Sequence, residues 1–116
     1  MTFSINDDQI AIKQAISKIC DNFSAEYWLE RDSNGEFPQE FVTEVCEAGW
    51  FGIAMPEKYG GSGLGMTEAS LMMQTITESG AGYTGASSVH LNLFWLHPIV
   101  IFGTEEQKPR MLPPMI

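Results

Sequence analysis

Two histidines, two cysteines and two adjacent acid pairs are the side chains with most chemistry to offer in this 116-residue chain, and their spacing is the first test of each. His90 and His97 stand seven residues apart, about 10 Å of rise along one helix, too far to hold a single metal ion from that element. Each reads as a hydrogen-bonded histidine in the interior or at its boundary. Cys20 and Cys46 show no CxxC and no ligand-spaced histidine, so both read as reduced, buried thiols. Asp7–Asp8 and Glu105–Glu106 fall where helices should start, and the positive end of a helix dipole explains them without a general acid and base. Tyr59–Gly65, YGGSGLG, has the glycine content of a phosphate cradle. No Gly-Lys-Ser/Thr follows it and no strand leads into it, so backbone reversal is the simpler reason for its glycines. No Ser, His and Asp grouping carries a recognisable nucleophile motif. Spacing alone assigns no catalytic residue, no cofactor ligand and no metal ligand.

The elements that would position any site are helices. Asn6 with Gln9 forms a capping box, flanked by Ile5 and Ile10 at the staple positions, so a helix begins near Asp7 and buries Ile12, Ile16, Ile19 and Phe23 along one stripe. Ser24 caps a second, carrying Tyr27, Trp28 and Leu29 into the turn cluster Asp32–Gly35. Pro38 opens a third, with Phe41, Val42, Val45, Cys46 and Ala48 inward and Gly49 as its C-cap. Six glycines between Gly49 and Gly65 predict a structured loop. Thr67 caps a fourth helix through Ser79, ended by Gly80 and Gly82, and a fifth runs from about Gly85 to His97. Pro98 opens a short helical turn to Phe102, with Gly103 as its C-cap, and Thr104 with Gln107 caps a last helix. Pro109, near its fifth position, removes a donor at a cost of about 3 kcal/mol and predicts a short, bent or frayed element. The expected class is all-α, an up-and-down or orthogonal bundle of about six helices, with no strand required.

Composition bounds the partners. A length of 116 residues fits one domain, and 44% hydrophobic against 18% charged residues suffices for a core and excludes a disordered chain. A net charge of -9 repels phosphate backbones and anionic headgroups, which argues against nucleic acid. Eleven of the 15 acids precede Tyr59, whereas Ser79–Thr104 contains no charged residue. That dry stretch is long, yet Ser87, Ser88, His90, Asn92, His97 and Pro98 interrupt it, so it reads as a covered helix and not a membrane span. Met1–Asn6 shows no leader pattern, and a cytoplasmic address is the expectation.

Three segments carry a family likeness: Phe37–Pro38, Gly49–Gly65 (GWFGIAMPEKYGGSGLG) and Phe102–Pro113 (FGTEEQKPRMLP). Together they resemble the amino-terminal helical domain of the acyl-CoA dehydrogenase family, over essentially all of residues 1–116. The resemblance implies an oxidoreductase of fatty acid metabolism with two further domains, a middle β-domain and a carboxy-terminal helical bundle, assembled as a homo-oligomer. It also implies FAD as cofactor and an acyl-CoA substrate, with a glutamate taking the α-proton and flavin N5 the β-hydride. That base and nearly all flavin contacts would lie beyond Ile116, leaving the isolated chain inactive.

Carried onto this sequence, the resemblance makes the helix through Gly85–His97 one wall of the acyl cavity. It points to Ser87, Ser88, Leu91 and Trp95, which fit one helical stripe at spacings of one, three and four. A bulky Trp95 would shorten the cavity and favour short or branched acyl chains; equally, it could be a core tryptophan touching no ligand. Two alternatives stay open: a stand-alone helical module for self-association or apolar-ligand binding, and a related acyl-CoA oxidase or flavin monooxygenase.

Overall fold

The computed structural model describes residues 4–116; Met1–Phe3, on which the reading of a leaderless terminus partly rests, lie outside the described residues. Six helices follow in order: α1 (Asp7–Cys20), α2 (Ala25–Asn34), α3 (Gln39–Glu47), α4 (Met66–Ile76), α5 (Gly82–Phe102) and α6 (Gln107–Met111). Among the described residues there is no strand, and the class is all-α as expected.

Local chemistry sets most of the boundaries. The Asn6 side chain accepts from Gln9 N at 2.8 Å while Gln9 Oε1 accepts from Asn6 N at 3.1 Å, so both orphan donors of the first turn are satisfied. Ser24 Oγ accepts from Tyr27 N at 3.2 Å, and Gly35 ends α2 at φ 73°, a backbone that other residues rarely adopt. Thr104 and Gln107 make the same reciprocal pair, at 3.1 and 2.9 Å. Without the Pro109 donor the last helix is indeed short, five residues.

Several boundaries and faces differ from expectation. The cap of α4 is Gly65 and not Thr67: Gly65 has no side chain to cap with, and Glu68 Oε2 instead accepts from Gly65 N at 3.0 Å. That helix ends at Ile76, followed by a π-type turn, Thr77–Ala81, in which Gly80 has φ 102°. Pro98 does not open a new element; α5 runs through it to Phe102. The lost bond leaves the Phe94 carbonyl without its helical donor, on an outward side where water can replace it. Ala48, not Gly49, is the last cap of α3, with Gly49 beyond it at φ 80°. Cys46 and Ala48 are exposed rather than inward, because Phe41, Val42 and Val45 alone make the buried stripe of this nine-residue helix.

The main core joins Ile12 and Ile16 of α1 to Phe41 and Val45 of α3, Met72 and Ile76 of α4 and Val89 of α5. Trp28 anchors an aromatic group, with its ring centroid 5.0 Å from that of Phe41 and Phe23 edge-on to Phe41 at 5.4 Å. A smaller core of Met55, Leu96 and Leu112 fastens the glycine loop and the end of the chain to the second half of α5. Among the described residues nothing buries the outer side of α5, where Tyr83, Leu91, Phe94, Trp95 and Phe102 are all exposed.

Candidate functional site

Helix α5 is buried along one side only. Gly85, Ser88, Val89, Leu93 and Leu96 face the core, while Tyr83, Leu91, Phe94, Trp95 and Phe102 are between 55% and 85% exposed. Exposed aromatic and aliphatic side chains on an uncharged helix form the kind of surface that is normally covered by protein or ligand. By length and composition the helical run Met66–Phe102 could cross a membrane. It is broken, however, by the Gly80–Gly82 turn, and α5 packs one side into a protein core.

The two flanks of α5 border different grooves. On one, Ser87, Ser88 and Leu91 line a groove of about 330 Å³, opposite Phe37 and Pro38 of the α2–α3 link and beside Tyr83. The Ser88 hydroxyl donates to Gly85 O at 2.8 Å and that of Ser87 to Thr84 O at 3.3 Å, so both are spent within the helix. Neither serine therefore offers the groove a free donor, while Glu36 and Thr84 line it beside the apolar Phe37, Pro38 and Leu91. Trp95 lies one turn beyond Leu91 and outside this groove, 66% exposed, with its ring edge-on to Phe94. Trp95 is therefore not packed in the core of this domain. Three of the four residues suggested by resemblance thus share one groove, and the fourth continues the row.

The far wall of this groove is held by an ion cluster. Arg31 lies 3.4 Å from Glu40, 3.5 Å from Glu36 and 3.6 Å from Glu30, and its guanidinium sits 4.5 Å from the Tyr27 ring centroid. Tyr27 Oη donates to Glu40 at 2.8 Å. Hydrogen bonds from backbone and from Tyr27 hold the Glu40 carboxyl below its ordinary pKa, and burial pushes the Tyr27 phenol up. Asn34 Oδ1 accepts from Glu36 N at 2.9 Å, and Thr84 donates to the Asp32 carboxylate, joining α5 to the end of α2. These bonds fix the link that presents Phe37. Spacing did not mark Phe37 or Tyr83 as site residues; the available signal for Phe37 was an apolar ring directly after the polar turn Ser33–Glu36.

The other flank faces α4. Met66, Ala69, Met73, His90, Phe94 and His97 line a groove of about 510 Å³ there. Neither histidine matches its expected setting: His90 is exposed on the outer side of α5, and the buried Nδ1 of half-buried His97 has no hydrogen-bond partner. Among the described residues no three His, Cys, Asp or Glu side chains converge on a metal position.

The glycine loop is committed to its own folding. Ser62 N donates to Gly52 O at 2.8 Å, Gly63 N to Met55 O at 2.8 Å and Leu64 N to Ile53 O at 3.0 Å. A Cβ on Gly61 would run into the Met55 carbonyl. Amides already bonded to carbonyls cannot cradle a phosphate. The Gly49–Gly65 loop is therefore not a phosphate cradle, and the chain carries 15 acids against six bases, a balance that disfavours a nucleotide phosphate.

Comparison with known proteins agrees with this architecture. Residues 6–116 match the acyl-CoA dehydrogenase, N-terminal domain, family. Acyl-CoA dehydrogenase FadE12 of Mycobacterium tuberculosis is 31% identical over 97% of this chain and 28% of its own length. Mitochondrial isovaleryl-CoA dehydrogenase of Bos taurus is 33% identical over 97% of this chain and 26% of its own. A solved structure described as the electron transferring flavoprotein of Acidaminococcus fermentans superposes with a TM-score of 0.87 at 32% identity, covering 99% of this chain and 30% of that one. This chain therefore spans between a quarter and a third of the length of these relatives. With six helices in place and nearly every residue matched, the chain belongs to the acyl-CoA dehydrogenase family as its N-terminal domain.

Proposed function

We propose that this domain forms one wall of the acyl cavity in an FAD-dependent acyl-CoA dehydrogenase that removes hydrogen across the α,β bond of an acyl thioester. The observation that carries this reading is the uncovered, uncharged flank of α5, where Ser87, Ser88 and Leu91 share a groove and Trp95 continues the row. FAD would supply the hydride acceptor and, with the catalytic base, would reside outside these residues. The role of this chain is to shape the cavity and exclude water from it. Its charge of -9 disfavours the phosphates of coenzyme A and leaves the acyl tail as the part it meets. The rest of the subunit and its oligomeric partners would cover the outer side of α5. Two free cysteines, one exposed, suit the reducing cytoplasm we assign to it.

Trp95 sets chain length in this account: its bulk closes the cavity to long tails, in keeping with a relative that acts on the branched isovaleryl thioester. In the FAD-loaded enzyme carrying this domain, Trp95→Ala should raise kcat/KM for octanoyl-CoA relative to isovaleryl-CoA by at least about tenfold, the lower end of what one methylene is worth in an apolar pocket. An unchanged ratio would contradict the wall. The exposed Phe94, Trp95 and Phe102 support a second reading, a self-associating module without catalysis. A polypeptide of only 12.9 kDa in the source cell that sediments as a dimer would favour it.

A further inference from the structure

We infer that Phe37 and Tyr83 select acyl tails that end in an aromatic ring, an inference that rests on the acyl-wall reading of α5. Both rings border the groove lined by Ser87 and Leu91, and they are 54% and 85% exposed. Among the described residues neither packs against another aromatic ring, whereas Phe23, Tyr27, Trp28 and Phe41 cluster together. Phe37 is held in this position by its backbone. Gly35 turns the chain at φ 73°, Glu36 N donates to Asn34 Oδ1 at 2.9 Å, and the Phe37 carbonyl accepts from Gln39 N at 2.8 Å.

The fixed backbone keeps Phe37 at the edge of the groove, so only its side-chain rotation is lost when a ligand ring packs on it. The serine hydroxyls on the floor are already bonded to Thr84 and Gly85 carbonyls, so they present no free donor to a polar tail. A straight aliphatic tail gains only buried area there. A flat ring gains edge-to-face or offset contacts with Phe37 and Tyr83 as well, and such ring pairs are the source of selectivity. The ligand class is an aryl-terminated acyl thioester, with 3-phenylpropanoyl-CoA as the probe.

Two measurements test this. In the FAD-loaded enzyme, Phe37→Leu keeps apolar bulk and removes the ring, and the kcat/KM ratio of 3-phenylpropanoyl-CoA to hexanoyl-CoA should fall about 5- to 10-fold, with Tyr83→Leu lowering it in the same direction. In the 116-residue chain, 3-phenylpropanoate should shift the amide resonances of Phe37, Ser87 and Leu91 more than hexanoate does at equal concentration, and Phe37→Leu should abolish the difference. Equal shifts from the two acids, or a ratio unmoved by both substitutions, would overturn the inference. An enzyme that oxidises neither thioester would overturn the dehydrogenase reading, while the resonance experiment, which needs no flavin, would still decide the groove.

Discussion

Trp28 lies directly against Gly85: its Cη2 atom is 3.2 Å from where a Cβ on that glycine would stand. Ile76 comes within 3.3 Å of the same point, so α2, α4 and α5 meet where α5 has no side chain. This close approach seats the inner side of α5 and leaves its outer flank free. A valine at position 85 should lower stability by about 2–3 kcal/mol through overpacking. Trp28→Ala, which empties a site only 4% exposed, should cost about 3–5 kcal/mol. Urea denaturation of both variants checks this, and losses below about 0.5 kcal/mol would contradict the packing described.

Glu68 makes stability depend on acid. Its carboxylate accepts from Gln9 Nε2 at 2.8 Å and Gly65 N at 3.0 Å, and these bonds, with that from its own backbone, hold its pKa below the ordinary value. The charged form is therefore favoured in the fold. Its contribution is complete above the unfolded value of about 4.3 and is lost as pH falls through the lowered folded value. Glu68→Gln should lower Tm by about 3–6 °C at pH 7. The gap should close as pH drops below about 4. A gap that stays constant from pH 7 to 3 would remove Glu68 from the acid response.

The two thiols should react at very different rates. Cys46 is exposed, whereas Cys20 is 4% exposed and burial raises its pKa. Iodoacetamide under native conditions should label Cys46 within minutes and Cys20 only on unfolding, as peptide mass mapping would show. Equal labelling of both would mean that the end of α1 is open.

Helix starts were legible in the sequence wherever a capping pair was local: Asn6 with Gln9, Ser24, and Thr104 with Gln107 each sit within three residues of their partner. The start of α4 was misread because Thr67 offers a hydroxyl, while the satisfied donor, Gly65 N, is reached by a carboxylate from further along. Pro98 read as a boundary because proline removes one hydrogen bond, but the rest of α5 is anchored by Val89, Leu93 and Leu96 and continues past it. Cys46 and Ala48 were placed inside because in a helix of about two and a half turns each lies next to the stripe of Phe41, Val42 and Val45, and an apolar residue at its edge reads like one within it. The acyl-wall residues came from resemblance, and periodicity only showed that they share a face. Phe37 joins them through the fold, across about 50 residues of chain, by a contact that no local pattern encodes.

The central claim, that the outer flank of α5 meets the acyl tail, is tested most directly by photo-crosslinking. An acyl-CoA bearing a diazirine at the tail end is irradiated in the FAD-loaded enzyme, and the adducts are mapped by peptide mass spectrometry. The account predicts adducts on Ser87, Leu91 or Trp95, suppressed by excess unlabelled acyl-CoA. Adducts confined to residues outside this domain, in an enzyme whose flavin the same thioester reduces, would contradict it.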